Sequence, residues 1–328
     1  MKDKYNRRFC VAPMMGYTTP YARKLYRILS KKSFLFTEMI AAKSMIHSKN
    51  KDLIIENDEH NPVALQVGGS DLNDLKKCSE IAYELNFDEI NLNVGCPSKA
   101  VQKGSFGACL MKDKMLVKNC LEAMQINKNI EVSLKCRIGI GKNFNYEFFE
   151  EFIEEVLKSG IKIVYVHARN AILSGISPKS NRTIPPLNYD FVTKIKSKFP
   201  DITFILNGGI DSIEKAFDLS KLHDGVMLGR LIQNNPFCLR NVDKLFYNHL
   251  NDYVISENTI KDYFNFIRPK VGTDSIYRLL SPLLNIFFGI PDGKKFKIDI
   301  HSKMKEQNIE ILEKIFLNFV SQKKILIN

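Results

Sequence analysis

Short runs of β-branched and aromatic residues alternate with stretches whose apolar positions recur every three to four residues, from near the N-terminus to about residue 240. The first pattern has the period of a strand, the second that of a helix packed along one face. Strands are expected at Arg8–Ala12, Phe34–Glu38, Val63–Val67, Glu89–Asn93, Glu131–Cys136, Ile161–His167, Thr203–Leu206 and Gly225–Leu228. Between them, Thr19–Leu29, Leu72–Leu85, Tyr146–Ser159 and Ser212–Ser220 read as helices. Eight β/α units in roughly 240 residues have the size of a TIM barrel. A doubly wound open sheet would show the same alternation. The barrel is preferred because the residues suited to chemistry fall at or just after the C-terminal ends of many strands, where a barrel gathers its site.

From Asn241 onward strand-like runs largely vanish, and Tyr263–Arg268, Ser275–Phe288 and Lys305–Ser321 read as helices. The expected architecture is therefore α/β: a TIM (β/α)8 barrel over residues 1–240, followed by a small all-helical C-terminal domain over 241–328. No apolar run approaches the roughly 20 residues that span a bilayer, and no apolar segment follows the polar first residues. A cytoplasmic protein without a membrane partner is the expectation.

Charge narrows the partners. The chain carries a formal net charge of +12, a balance that favours polyanions such as nucleic acid or an anionic membrane. The tail holds 13 Lys and Arg against 10 Asp and Glu, so most of the excess lies on the barrel, with a local cluster at 293–297. Seven cysteines are scattered with no C-x-x-C pair, which argues against disulfides and against a zinc site. The six histidines are equally dispersed, and no metal is expected.

Three groups of residues carry chemistry. Asn207-Gly208-Gly209 and Gly229-Arg230 follow the last two strands, where glycines let backbone N–H groups approach an anion. Each glycine alone is also explained by a tight turn; together, after strands seven and eight, they favour a phosphate site. Lys135 and Arg137 lie two apart on strand five and share a face, with His167 ending strand six, a set suited to an electron-rich phosphorylated cofactor. Finally, Asn91-Leu92-Asn93-Val94-Gly95-Cys96-Pro97-Ser98 places a thiol in a loop after strand four rather than on a packed apolar face. A thiol in water is mostly protonated at pH 7, so Cys96 suits a general acid as well as a nucleophile. Glycines at 104 and 107 suggest a loop able to close over a substrate.

Taken together, Ala12-Pro13-Met14, Ala64-Leu65-Gln66, the Asn-x-Gly-Cys-Pro-Ser segment at 93–98, the 106–111 segment and Asn207-Gly208-Gly209 resemble the tRNA-dihydrouridine synthases over nearly the whole chain. The run Ser177 to Leu187 looks like the loop of the bacterial A-type subfamily, which acts at tRNA positions 20 and 20a. The resemblance implies FMN held by Pro13, Met14, Gln66, Lys135, His167, Asn207, Gly208, Gly209, Gly229 and Arg230. It implies NADPH as reductant, hydride transfer from reduced FMN to uracil C6, and Cys96 as the donor of a proton to C5. Asn93 and Arg137 would lie toward the target uracil, and Lys179, Arg182, Lys294 and Lys297 would touch tRNA at the D-loop. No protein partner is implied, and oligomeric state is left open, a monomer being compatible. The sequence departs from the family at Met15-Gly16-Tyr17-Thr18-Thr19, where an Asp and a Thr-Asp-Arg-His run are usual. A small-molecule flavin dehydrogenase and a tRNA-binding protein without catalysis are the alternative readings. Neither accounts for Cys96, Lys135, His167 and the Lys179/Arg182 loop together.

Overall fold

The computed structural model describes residues 5–47, 62–126, 129–249 and 256–323. Eight parallel strands run β1 Phe9–Val11, β2 Leu35–Ala41, β3 Val63–Gly68, β4 Glu89–Val94, β5 Glu131–Arg137, β6 Ile163–His167, β7 Thr203–Asn207 and β8 Gly225–Leu228. From β2 onward each pairs with the next in sequence, and β1 pairs with β8 with Phe9 opposite Val226. The seam between β1 and β2 is closed at Cys10 and Phe34, where Val11 N–H donates to Phe34 O and Phe34 N–H to Phe9 O, both at 2.9 Å. The sheet is thus a closed barrel, as the alternation suggested. The main outer helices are α1 Pro20–Leu29, α2 Leu72–Glu84, α3 Lys114–Met124, α4 Tyr146–Leu157, α5 Tyr189–Lys198 and α6 Ile213–Leu222, with a short α7 at Arg230–Asn234. Thr19, Asp71, Asp113, Asn145 and Ser212 each accept a hydrogen bond from the backbone three residues on, satisfying a helix-start donor.

Because strand side chains alternate, the barrel has two apolar regions. One lies between sheet and helices, built from residues such as Leu65, Ile90, Leu92, Val164 and Leu206. The other fills the lumen with Cys10, Phe34, Phe36, Ala64, Ile163, Tyr165, Ile205 and Met227, in which Phe36 meets Phe34 and Tyr165 edge-on. Beside this lumen cluster, at the N-terminal end of the strands, sits a buried ionic layer. Arg7 Nε and Nη2 donate to Glu89 Oε2 at 2.9 and 2.7 Å, Arg7 also pairs with Glu131, and its guanidinium lies 4.5 Å from the Phe34 ring centre. Burial pushes the Glu89 carboxyl up, while Arg7 and the Ser133 hydroxyl pull it back.

After β8 the chain turns helical. Helix Val242–Tyr247 still packs on the barrel: Phe246 meets Phe9 and Phe217, and Tyr247 OH is bonded to the backbone of Phe9. Asp243 accepts from Ser30 Oγ and from the N–H groups of Lys31 and Lys32, pinning the turn between α1 and β2. The remaining helices are α8 Glu257–Ile267, α9 Ile276–Leu280, α10 Gly293–Lys303 and α11 Ile309–Lys323. They close over an extension of the sheet–helix core in which Phe264, Phe287, Phe296, Phe316 and Phe319 interlock. Two expectations for the tail change. The helix expected at 275–288 stops at Leu280 and continues as a 3-10 turn through Pro282, whose ring cannot continue the ladder. Helix α10, containing Lys294 and Lys297, was not expected, since its run of lysines hides the Phe296/Ile300 stripe.

Candidate active site

The C-terminal ends of the strands open on a cleft of about 540 Å³. All ten residues expected to hold the cofactor line it: Pro13 and Met14 after β1, Gln66 on β3, Lys135 on β5, His167 on β6, Asn207, Gly208 and Gly209 after β7, Gly229 and Arg230 after β8. Asn93, Cys96, Arg137 and Arg182 line it as well. Its described lining contains no carboxylate, so the electrostatics of the cleft are those of an anion site.

The glycines after β7 have geometric reasons to be glycine. Gly208 has φ +115° and Gly209 φ +66°, and a Cβ on Gly208 would lie 2.5 Å from His167 Cδ2. A Cβ on Gly209 would strike Leu187 at 2.3 Å. Asn207 is fixed by donating Nδ2 to Met227 O at 2.7 Å, which turns its Oδ1 to the Lys135 ammonium at 3.2 Å. Burial, and then Arg137, lowers Lys135 from 10.5 to about 8. Burial, with Arg137, Lys135, Arg169 and Arg230 around it, holds His167 well below its ordinary range, so the ring is neutral at physiological pH.

The cysteine loop is held by backbone contacts. Asn93 Oδ1 accepts from Gly95 N–H at 3.1 Å and from Cys96 N–H at 3.0 Å, and Cys96 O accepts from Ala108 N–H at 2.9 Å. Gly107 (φ +77°) lies so close beneath that a Cβ would meet Cys96 O at 2.6 Å. Cys96 is itself half-buried at the cleft wall. Arg137 is 3% exposed, and donates to Gly95 O, Asn170 O and Asn181 O at 2.9, 2.9 and 3.0 Å. It therefore ties the Cys96 loop to the loop that follows β6. Gln102 does the same from another direction, bonding Pro97 O and Leu173 O. Arg169 braces that second loop through Thr183 O and Pro185 O.

Lys179 and Arg182 sit exposed on a 3-10 turn of this braced loop, and Arg182 O accepts from Arg230 at 3.1 Å. Lys294 is exposed on α10. Lys297, one turn on, donates to Asn285 Oδ1 at 2.7 Å, and Asn285 Nδ2 donates to Gln233 O on the cleft's rim. The strands thus gather the residues expected to hold the cofactor, and Cys96, in one cleft, while Lys179, Lys294 and Lys297 stand outside it. Sequence reasoning missed the apolar rim formed by the exposed Met15 and Tyr17, which occupy the stretch departing from the family pattern. It also missed Ser133 behind the cleft; its signal was polar residues at every second position of β5. Among the described residues no cluster suited to a metal ion occurs, and no helix is long and apolar enough to cross a membrane.

Comparison with known proteins gives a consistent relationship. The family model described as dihydrouridine synthase matches residues 10–318. A tRNA-dihydrouridine(20/20a) synthase of Yersinia pestis is 40% identical over 292 residues, covering 88% of this chain and 84% of that protein. The protein of the same name from Pasteurella multocida is 38% identical over 321 residues, 97% of each chain. Among solved structures, the old yellow enzyme homologue of Zymomonas mobilis superposes with a TM-score of 0.52 at 14% identity, covering 78% of this chain and 92% of its own, a likeness of fold.

Proposed function

The chain belongs to the dihydrouridine synthase family, and from that premise we propose that it reduces the C5–C6 double bond of uridines 20 and 20a in the tRNA D-loop, with FMN as bound cofactor and NADPH as reductant. The observation that carries the reading is one cleft that combines a glycine-lined anion cradle, a half-buried ammonium and a loop cysteine. The residues present fit FMN. Gly208, Gly209, Gly229 and Arg230 offer backbone N–H groups and positive charge for its phosphate, while Gln66, Lys135 and Asn207 offer polar groups for its ring. When bound, FMN supplies the hydride equivalent, taken from NADPH.

The protein's own part is positioning and proton delivery. The uridine must leave its stack to enter the cleft, and Lys179 and Arg182 stand beside the mouth to bind backbone phosphates of the RNA. Cys96 Sγ holds the proton that is delivered to pyrimidine C5. Arg137, bound to Gly95 O, keeps that loop in place while its charge favours electron density building on the base. The Cys96 loop and the RNA-facing loop share this one arginine, so base entry and acid position are coupled.

An absorption spectrum of the purified protein tests the reading directly. A flavin band that bleaches with NADPH and recovers anaerobically only on adding unmodified tRNA is the expected result. A flavin indifferent to tRNA would redirect the assignment to a small-molecule reductase, and no flavin after FMN reconstitution to an RNA-binding protein.

A further inference from the structure

The polar residues of the barrel lumen form one continuous chain of hydrogen bonds from the ionic layer to the Cys96 loop. Ser133 Oγ donates to Glu89 Oε1, and Asn91 Nδ2 donates to Ser133 Oγ at 2.6 Å. Gln66 Nε2 donates to Asn91 Oδ1 at 2.8 Å, Asn93 Nδ2 to Gln66 Oε1 at 2.8 Å, and the N–H groups of Gly95 and Cys96 to Asn93 Oδ1. Strand register makes this chain, since Gln66 lies opposite Asn91 and Asn91 opposite Ser133. Glu89, Asn91 and Ser133 are 0% exposed and Gln66 1%, so solvent cannot substitute for a missing partner.

The direction of the chain is not free. An ionised carboxylate only accepts, so Ser133 gives its single hydrogen to Glu89 and must accept from Asn91. That turns Asn91 Oδ1 toward Gln66, which turns Gln66 Oε1 toward Asn93, which leaves Asn93 Oδ1 for the cysteine loop. Every amide orientation follows from the residue behind it. Among the described residues the other oxygen of Glu89 accepts from Arg7 and Tyr165, so the far end is fixed as well. With this polarity Gln66 and Asn93 each retain a second amide hydrogen for the cleft they line.

We propose that Glu89, at the opposite end of the barrel from the cleft, is a positioning residue that sets through Ser133 and Asn91 the donor polarity of Gln66 and Asn93 and the anchoring of the Cys96 loop. The inference about the loop rests on the relay alone. Its catalytic consequence rests on the proposed flavin and uracil chemistry, whose ring carbonyls call for donors at Gln66 and Asn93.

Replacement of one atom tests it. In Glu89→Gln, Arg7 and Tyr165 retain the amide oxygen, so the new NH2 faces Ser133. Ser133 must then donate to Asn91 or bury an unpaired hydrogen, and each amide along the chain reverses, turning Asn93 Oδ1 away from Gly95 and Cys96. Hydrogen exchange of those two amides in the full-length chain reads this without reference to any cofactor. It is expected to quicken about tenfold in Glu89→Gln, the weight of a lost hydrogen bond. Ser133→Ala, which cuts the chain and leaves the amides free to settle, should quicken it less. The double variant should fall back to the Ser133→Ala level, because the reversed signal has no route. Unchanged exchange in either single variant, or a double variant as fast as Glu89→Gln, overturns the proposal. Should Glu89→Gln not fold, the Ser133→Ala result decides alone. The FMN dissociation constant, measured in parallel, should follow the same order of variants; a wild type that binds no FMN counts against the flavin reading only.

Discussion

Cys96 is set apart from the other six cysteines by where its backbone goes rather than by its own contacts. Cys10, Cys78, Cys120 and Cys136 are buried, and burial pushes the thiols of Cys78 and Cys136 up to about 12, which makes them inert fillers. Cys96 instead stands on a loop tied by Asn93, Arg137 and Ala108, at a cleft wall. Cys96→Ala is expected to keep the flavin spectrum and to lower dihydrouridine formation by about 10²–10⁴-fold, the range of general-acid catalysis; the dihydrouridine content of treated tRNA measures it. Lys135 gives a pH signature. Its ammonium, lowered to about 8, attracts an anionic cofactor below that pH and loses its charge above it. FMN affinity of the cofactor-free chain should therefore weaken as pH rises through 8, and fluorescence titration of Lys135→Met should show the step gone. The sign for stability is opposite: the desolvated cation costs below about 8, and that cost lifts as pH climbs toward the 10.5 of an unfolded lysine. At this scale the sequence was legible where a residue type is rare in its setting, as with a lysine on a strand or a cysteine between Gly and Pro. Ser133 was not, because its meaning lies in partners on neighbouring strands.

Elements follow their sequence periods closely, and the misplacements have physical causes. Strand β2 runs on to Ala41, three residues past the expected end, because Met39 and Ile40 pair with Gln66 and Val67 after a bulge that breaks the alternation. Strand β6 starts at Ile163 rather than Ile161, after Gly160 at φ +92° has ended the preceding turn. The β7 turn is the element most exposed to a single change. Gly208→Ala would set a Cβ against the His167 ring while holding a left-handed φ. A loss of about 1–3 kcal/mol in stability is expected from such strain, with weaker FMN binding. Thermal melts with and without FMN separate the two, since a variant stabilised by FMN as well as wild type would leave the turn no part in the cradle.

The whole molecule combines a basic exterior with a tail that reaches the cleft through Lys297, Asn285 and Gln233. We expect Lys179→Ala and Arg182→Ala each to weaken tRNA binding and to lower its logarithmic salt slope by about 1, with the flavin spectrum unchanged. Binding measured across a salt series checks this, and equal slopes in variant and wild type would remove both residues from the RNA contact. Barrel and helical tail were legible in the sequence because patterning changes near residue 241, but their interlock was not, since Asp243 gripping the α1–β2 turn leaves no trace in local periodicity. That interlock and the narrow seam at Cys10 and Phe34 have a consequence for how the protein is made. Strand β1 is made before the other seven, yet its partner β8 is made last of the eight, and the Asp243 clasp later still. Tyr21 on α1 waits even longer, for Asp274 of the tail. The nascent chain therefore carries β1 on its short contact at Phe34, with the β8 edge still open, through most of the barrel's synthesis. How long that edge stays open depends on the speed of translation from β2 to β8.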